Sequence, residues 1–299
     1  MADATMKIDV DASGAKKGSQ QFATSVNSMK MSAKGGASSL AVMAKGFVGI
    51  SGAIAVATAA LKGISASIRT FASFEHSITN VGSVAGATGK ELKELGDIAR
   101  KMGAKSVFSA SQAADAMYNL ASAGFSTKQI AESLNPVLDF AAATQSDLAS
   151  SAGMVVSTLS QYNLEAREAK RVSNVFAAAI SGSMANADKL AASMKYAGAT
   201  ANMLDVSLED TVAVLMKLYN AGFDGSQAGT ILRNAFVRLA KPSKEAEDVL
   251  SDLGLSIRDL DIKSNGLIPV LERLRIANLD TAQAATLFGQ EGIGVMKAI

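Results

Sequence analysis

Residues 207–240 read SLEDTVAVLMKLYNAGFDGSQAGTILRNAFVRLA, and their spacing decides the fold class. Val212, Leu215, Met216 and Tyr219 return at intervals of three and four, as do Ile231, Leu232, Ala235, Phe236 and Leu239. That is the period of a helix with one buried face. Ser207 with Asp210 and Asp224 with Gln227 each set a side-chain acceptor three residues ahead of an acid or amide, the arrangement that satisfies the free N–H groups of a helix start. Between the two helices stands Ala221-Gly222-Phe223, where glycine takes a left-handed cap and the ring packs back. The unit is a helical hairpin.

The hairpin is present twice. SASQAADAMYNLASAGFSTKQ, starting at Ser109, overlays SLEDTVAVLMKLYNAGFDGSQ at a constant offset, with Leu120 on Leu218, Ala123-Gly124-Phe125 on Ala221-Gly222-Phe223, and Gln129 on Gln227. Thr88 with Glu91, Ser109 with Gln112 and Ser126 with Gln129 add three more start signals. A weaker echo relates Asp147-Leu148-Ala149 to Lys189-Leu190-Ala191 and suggests further related hairpins. The pattern predicts about ten amphipathic helices between residues 91 and 299.

Composition agrees. The chain has 299 residues, 48% of them hydrophobic, enough for a sizeable core, with 5% aromatic residues, no Trp and three Pro, a mix suited to small-residue helix packing. The absence of cysteine excludes disulfides, thiolate nucleophiles and thiolate metal sites, and fits a reducing compartment. The expected class is all-α: an N-terminal extended or helical arm over 1–70, then a multi-helix core of helical hairpins over 71–299.

The arm differs in character. Residues 1–70 hold eight basic residues against Asp3, Asp9 and Asp11, although the whole chain is only +2. Diluted by Ser and Ala, these charges read as a solvated face. The start lacks an apolar run behind a basic end, so no secretory signal is expected. Met6, Ile8 and Val10 alternate as in a short strand. Residues 46–61, GFVGISGAIAVATAAL, carry no charge. They fall short of the roughly 20 apolar residues that span a bilayer unless the flanks of 40–68 contribute. Gly46, Gly49, Gly52 and Ala53 allow close helix contact in protein or in membrane.

No constellation of reactive residues stands out. His76, the sole histidine, follows Phe71 and Phe74 at helical spacing and reads as the edge of a packing face. Glu209 with Asp210 and Glu245 with Glu247 sit at helix starts, where acids complement the macrodipole. Residues 82–90, GSVAGATGK, fail as a phosphate loop because Glu91 follows Lys90 and no strand precedes, so a flexible link is expected there. Ala228, Gly229 and Thr230 let two helices approach, with Arg233 and Arg238 free to pair with acids. No catalytic, cofactor or metal-binding residue is expected.

Several stretches resemble the core region of phage tail tape measure proteins: FEHSITNVGSVAGAT at 74–88, SASQAADAMYNLASAGFS at 109–126, AGFDGSQAGTILRNAFVRLAKPSKEAEDVLSDLGL at 221–255 and LFGQEGIGVMKAI at 287–299. The residues that carry the likeness are Ala123, Gly124, Phe125, Ala221, Gly222, Phe223, Gly225, Ala228, Gly229, Thr230, Leu232, Arg233, Pro242, Leu253 and Gly254. The resemblance implies a structural protein without cofactor or catalytic residues, packed in the lumen of the virion tail, whose length sets that of the tail tube. It implies as partners the tail tube protein, tail assembly chaperones and tail tip or baseplate proteins, with self-association in the lumen and passing contact with DNA that is not sequence-specific. It places the protein in the host cytoplasm during assembly. The alternative is a membrane-active genome-ejection component that uses 40–68 at the host membrane. Wholly helical, 299 residues at about 1.5 Å each reach only about 450 Å. That is short for such a ruler, so the chain is expected to continue beyond residue 299.

Overall fold

Helix starts are the most strongly specified local feature of the chain. A computed structural model describes residues 70–290 and 294–295. The strand expected at 6–10 and the apolar segment 40–68 lie outside the described residues. A first helix, α1, covers 70–85. Next come α2 (Gly89–Lys105), α3 (Ala110–Ser122), α4 (Thr127–Thr144), α5 (Leu148–Gln161), α6 (Ala169–Gly182), α7 (Ala187–Met203), α8 (Leu208–Asn220) and α9 (Gly225–Ala240). The series closes with α10 (Lys244–Asp252), α11 (Ile262–Asn265), α12 (Leu267–Ile276) and α13 (Thr281–Phe288). Short 3₁₀ turns at Ala166–Glu168 and Ile257–Leu260 complete it, and there is no strand among the described residues. The all-α reading holds for this region.

Thr88, Ser109 and Ser126 each form the reciprocal capping box expected of them. Ser207 accepts from the Asp210 N–H, but Asp210 does not return the bond. The Gln227 side chain accepts from the Asp224 N–H at 3.4 Å. Two further boxes, Ser256 with Asp259 and Asp280 with Gln283, were not read from the sequence.

Eight connections share one geometry. A helix stops, one residue turns left-handed, one residue packs or passes, and the next start residue follows. The left-handed residues are Gly86, Gly124, Gln145, Asn163, Asp205, Gly222, Gly254 and Asn278, with φ between 52° and 92°. In seven of the eight, the N–H after the turn residue reaches back to the carbonyl five positions earlier, as Phe125 to Leu120 (3.3 Å), Leu164 to Leu159 (2.8 Å), Phe223 to Leu218 (3.1 Å) and Leu255 to Leu250 (2.8 Å). This is the Schellman closure, and apolar pairs such as Phe223 with Leu218 lie across it. The two copies seen in the sequence are members of a larger set.

Three expectations need correction. Residues 82–90 are not a flexible link: 82–85 continue α1, Gly86 makes the tight joint at φ 63°, and Thr88 caps α2. Gly82 is buried where the two helices meet, so close that a Cβ there would lie 2.7 Å from Leu92 Cδ1. The echo between 147 and 189 relates unlike positions, because Asp147 is the cap of α5 while α7 is capped earlier, by Asn186. On α1, Phe74 is buried but Phe71 is 62% exposed and His76 is exposed too, so His76 lies outside the packing face. There, Arg100 of α2 lies 4.7 Å over the Phe74 ring and pairs with Glu75 at 3.4 Å.

From α2 to α9, the main contacts of each helix are with those one and two places along the chain: α3 on α5, α4 on α6, α6 on α8, α7 on α9. One continuous apolar core runs through the stack, from Phe74 to Val295. The C-terminal helices join it chiefly through α13 on α9 and α10.

The joints supply a direct test. Gly124 and Gly222 have open space where a side chain would stand, so the constraint at such turns is conformational alone. Asn163→Gly is expected to leave stability unchanged or slightly raised, and Asn163→Ala to lower it by about 1 kcal/mol. Urea unfolding of the two variants checks this, and a neutral alanine would contradict the strained-joint assignment.

Candidate functional site

The most extensive contact between any two described helices is that of α7 with α9, and glycine makes it. A Cβ on Gly225 would stand 2.5 Å from the Lys189 carbonyl oxygen, and one on Gly229 would stand 2.5 Å from the Ser193 carbonyl oxygen and 2.7 Å from its Cα. Real side chains never come so close. The two main chains therefore touch at two points, four residues apart on each helix. Ala228 and Leu232 fill the same buried face of α9. Thr230 and Arg233 are half-buried beside it.

Helix α8 locks the crossing. The buried Tyr219 hydroxyl donates to Ser193 Oγ at 2.6 Å and lies 3.2 Å from the Lys189 carbonyl. Ser193 Oγ in turn donates to the Gly225 carbonyl at 2.6 Å. One hydrogen-bonded chain thus joins α8, α7 and α9, and every polar atom in it is satisfied inside the core. A second chain runs from Tyr162 at the end of α5 to Thr211 Oγ1 at 2.9 Å, which donates to the Ser207 carbonyl at 2.8 Å. Burial pushes both phenols up to about 12.

The other residues singled out by sequence lie in separate places. Ala123-Gly124-Phe125, Ala221-Gly222-Phe223 and Leu253-Gly254 form three joints, with Gly124, Gly222 and Gly254 left-handed and Phe125 and Phe223 packed on the core. Pro242 stands between α9 and α10 and is half-buried. The structure brings together Gly225, Ala228, Gly229 and Leu232. Sequence reading missed their partners Ser193 and Tyr219, for which the small residues of AASMKYAGA (191–199) and a tyrosine amid leucines were the available signals.

Arg233 and Arg238 make no ion pair among the described residues. The guanidinium of Arg238 lies beside Gly289, where an added Cβ would stand 2.9 Å from it. Glu209 is engaged instead by Arg171, through Oε1 at 2.7 Å and Oε2 at 3.0 Å, and that hydrogen bonding holds its carboxyl below the usual range. Asp210 and Glu247 stand in the first turns of α8 and α10, as expected of acids beside helix starts. Among the described residues no three His, Cys, Asp or Glu side chains gather to hold a metal ion, and no helix is long and apolar enough to cross a membrane. A surface hollow of about 360 Å³ between α4 and α6, around Pro136 and Phe140, has Asp139 and Lys170 in its lining, and no ion pair joins the two. What this assembly of side chains can do is mechanical: it holds three helices in fixed register.

The model of the family described as phage-related minor tail protein matches residues 96–290. The tape measure protein of Pneumococcus phage Dp-1 is 39% identical over 246 residues, which cover 78% of this chain and 21% of that protein. The probable tape measure protein of Escherichia phage P2 is 28% identical over 209 residues, covering 67% of this chain and 26% of that protein. The chain thus spans about a fifth to a quarter of the curated relatives it matches. No solved structure matches it.

Two outcomes are expected from the buried hydroxyls. Tyr219→Phe and Ser193→Ala each lower stability by about 1–2 kcal/mol, and the double variant costs less than their sum, because both cut one chain. A double-mutant cycle in urea measures the coupling, and strict additivity would contradict it. With folded values raised to about 12 from 10.0 for Tyr162 and Tyr219, the neutral phenols contribute stability that is whole below pH 10 and is lost as pH rises toward 12. Tyrosinate absorbance followed through alkaline unfolding checks it, the two phenols ionising only as the helices melt.

Proposed function

The chain belongs to the phage-related minor tail protein family, and on that premise we propose that it is a structural stretch of a tail tape measure protein, acting through folded length and packing rather than catalysis. The likeness to two tape measure proteins, running through most of the chain, carries this reading. The helical array supports it, since polar side chains cap its helix starts and a buried hydroxyl chain clamps three of its helices together.

In this reading residues 71–299 are a core domain of the ruler, and the chain lies in the virion tail. Its partners are the tail tube protein, the tail assembly chaperones and the proteins of the tip or baseplate, with self-association in the lumen. The glycine-bearing signature is structural: Gly225, Ala228, Gly229 and Leu232 make the crossing, while Gly124, Gly222 and Gly254 turn the joints.

The ruler role has a plain test. In-frame deletions in the complete reading frame are expected to shorten tails in proportion to the residues removed, by about 1.5 Å per residue where the ruler is helical. Electron microscopy of the assembled tails measures it. Tails of unchanged length would contradict the proposal.

A further inference from the structure

We propose that the described helical unit opens in stages, its C-terminal helices leaving first and the α7–α8–α9 knot opening last. The stacking order is the first ground. From α2 to α9 the main contacts of each helix are with neighbours one or two places along the chain, so a helix that detaches removes support from its immediate neighbours and leaves distant ones intact. Arrays of this kind have no element that all others need at once.

The second ground is the unevenness of the links. At α7–α9 the main chains touch at Gly225 and Gly229, and a buried hydroxyl chain from Tyr219 through Ser193 to the Gly225 carbonyl ties in α8. On the C-terminal side of this knot the ties are weaker. Helix α11 reaches back to the α7–α8 joint through the exposed Lys263–Asp205 pair at 2.9 Å, a kind of contact that contributes little in water. Helix α12 leaves Ile268 43% and Ile276 70% exposed, and its link to the 3₁₀ turn before it includes the exposed Arg273–Asp259 pair at 3.5 Å.

The third ground is the joint itself. Each left-handed turn confines the chain reversal to about one residue, so one helix can swing away without disturbing the Schellman closure beyond it. A chain built this way can be drawn out helix by helix from its C-terminal flank, with one place that resists.

Hydrogen exchange of the full chain at rising sub-denaturing urea, resolved by peptide, tests the order. The amides of Ala187–Met203, Leu208–Asn220 and Gly225–Ala240 are expected to share one opening curve and to exchange last, with those of Lys244–Asp252 and Leu267–Ile276 opening at lower urea. Gly229→Ala is expected to speed exchange in α7, α8 and α9 at least about tenfold while leaving the order of the outer helices unchanged. Should that variant fail to fold, Tyr219→Phe gives the same shift at smaller size. One common curve for all helices overturns the proposal, as does protection that persists longest in α3–α5. Neither result bears on tail length, so the order of opening and the ruler role stand or fall separately.

Discussion

The approach of two main chains at Gly225 and Gly229 is the constraint on which the packing of α7, α8 and α9 depends. At an ordinary interhelical distance of 8–10 Å side chains interdigitate between helices. Here a single added carbon at either glycine would stand 2.5 Å from a carbonyl oxygen, so the helices are held closer than any side chain permits. That closeness brings Ser193 within reach of the Gly225 carbonyl and makes room for Tyr219 to close the chain from α8. Dispersion gains between densely packed backbones and fully satisfied buried hydroxyls act together in the same few cubic ångströms.

The joints distribute the same economy along the chain. Each reverses direction with one left-handed residue and hands directly to a capped helix, leaving few unsatisfied backbone groups. The result is a chain of short helices whose partners are near in sequence, which suits a protein whose proposed work is to occupy length. With only 5% aromatic residues, the core relies on Ala, Leu and Val at close range.

Much of this was legible from sequence. Periodicity and capping residues located the helices, because both act through local hydrogen bonds and one buried face. The hairpin repeat was visible where glycine marks the turn, at Gly124 and Gly222. It was hidden at Gln145, Asn163, Asp205 and Asn278, because these residues also favour helices or ordinary loops and their left-handed geometry shows only in the folded chain. The small residues at 228–230 announced a close helix approach. Their partner did not: Ser193 lies more than thirty residues away in sequence, and nothing local in AASMKYAGA says which helix it will meet. Residues 82–90 misled because glycines suggest flexibility, whereas Gly82 is small for packing and Gly86 for turning.

A graded series at one position tests the central claim most directly. Replacing Gly229 in turn with Ala, Val and Leu, and measuring unfolding free energy for each beside the same series at Gly124, separates contact from conformation. The backbone-contact account predicts a cost at 229 that climbs with side-chain size, against a cost at 124 that is paid at alanine and changes little with size thereafter. A flat series at 229 would show that the two helices are free to part, and would contradict the account.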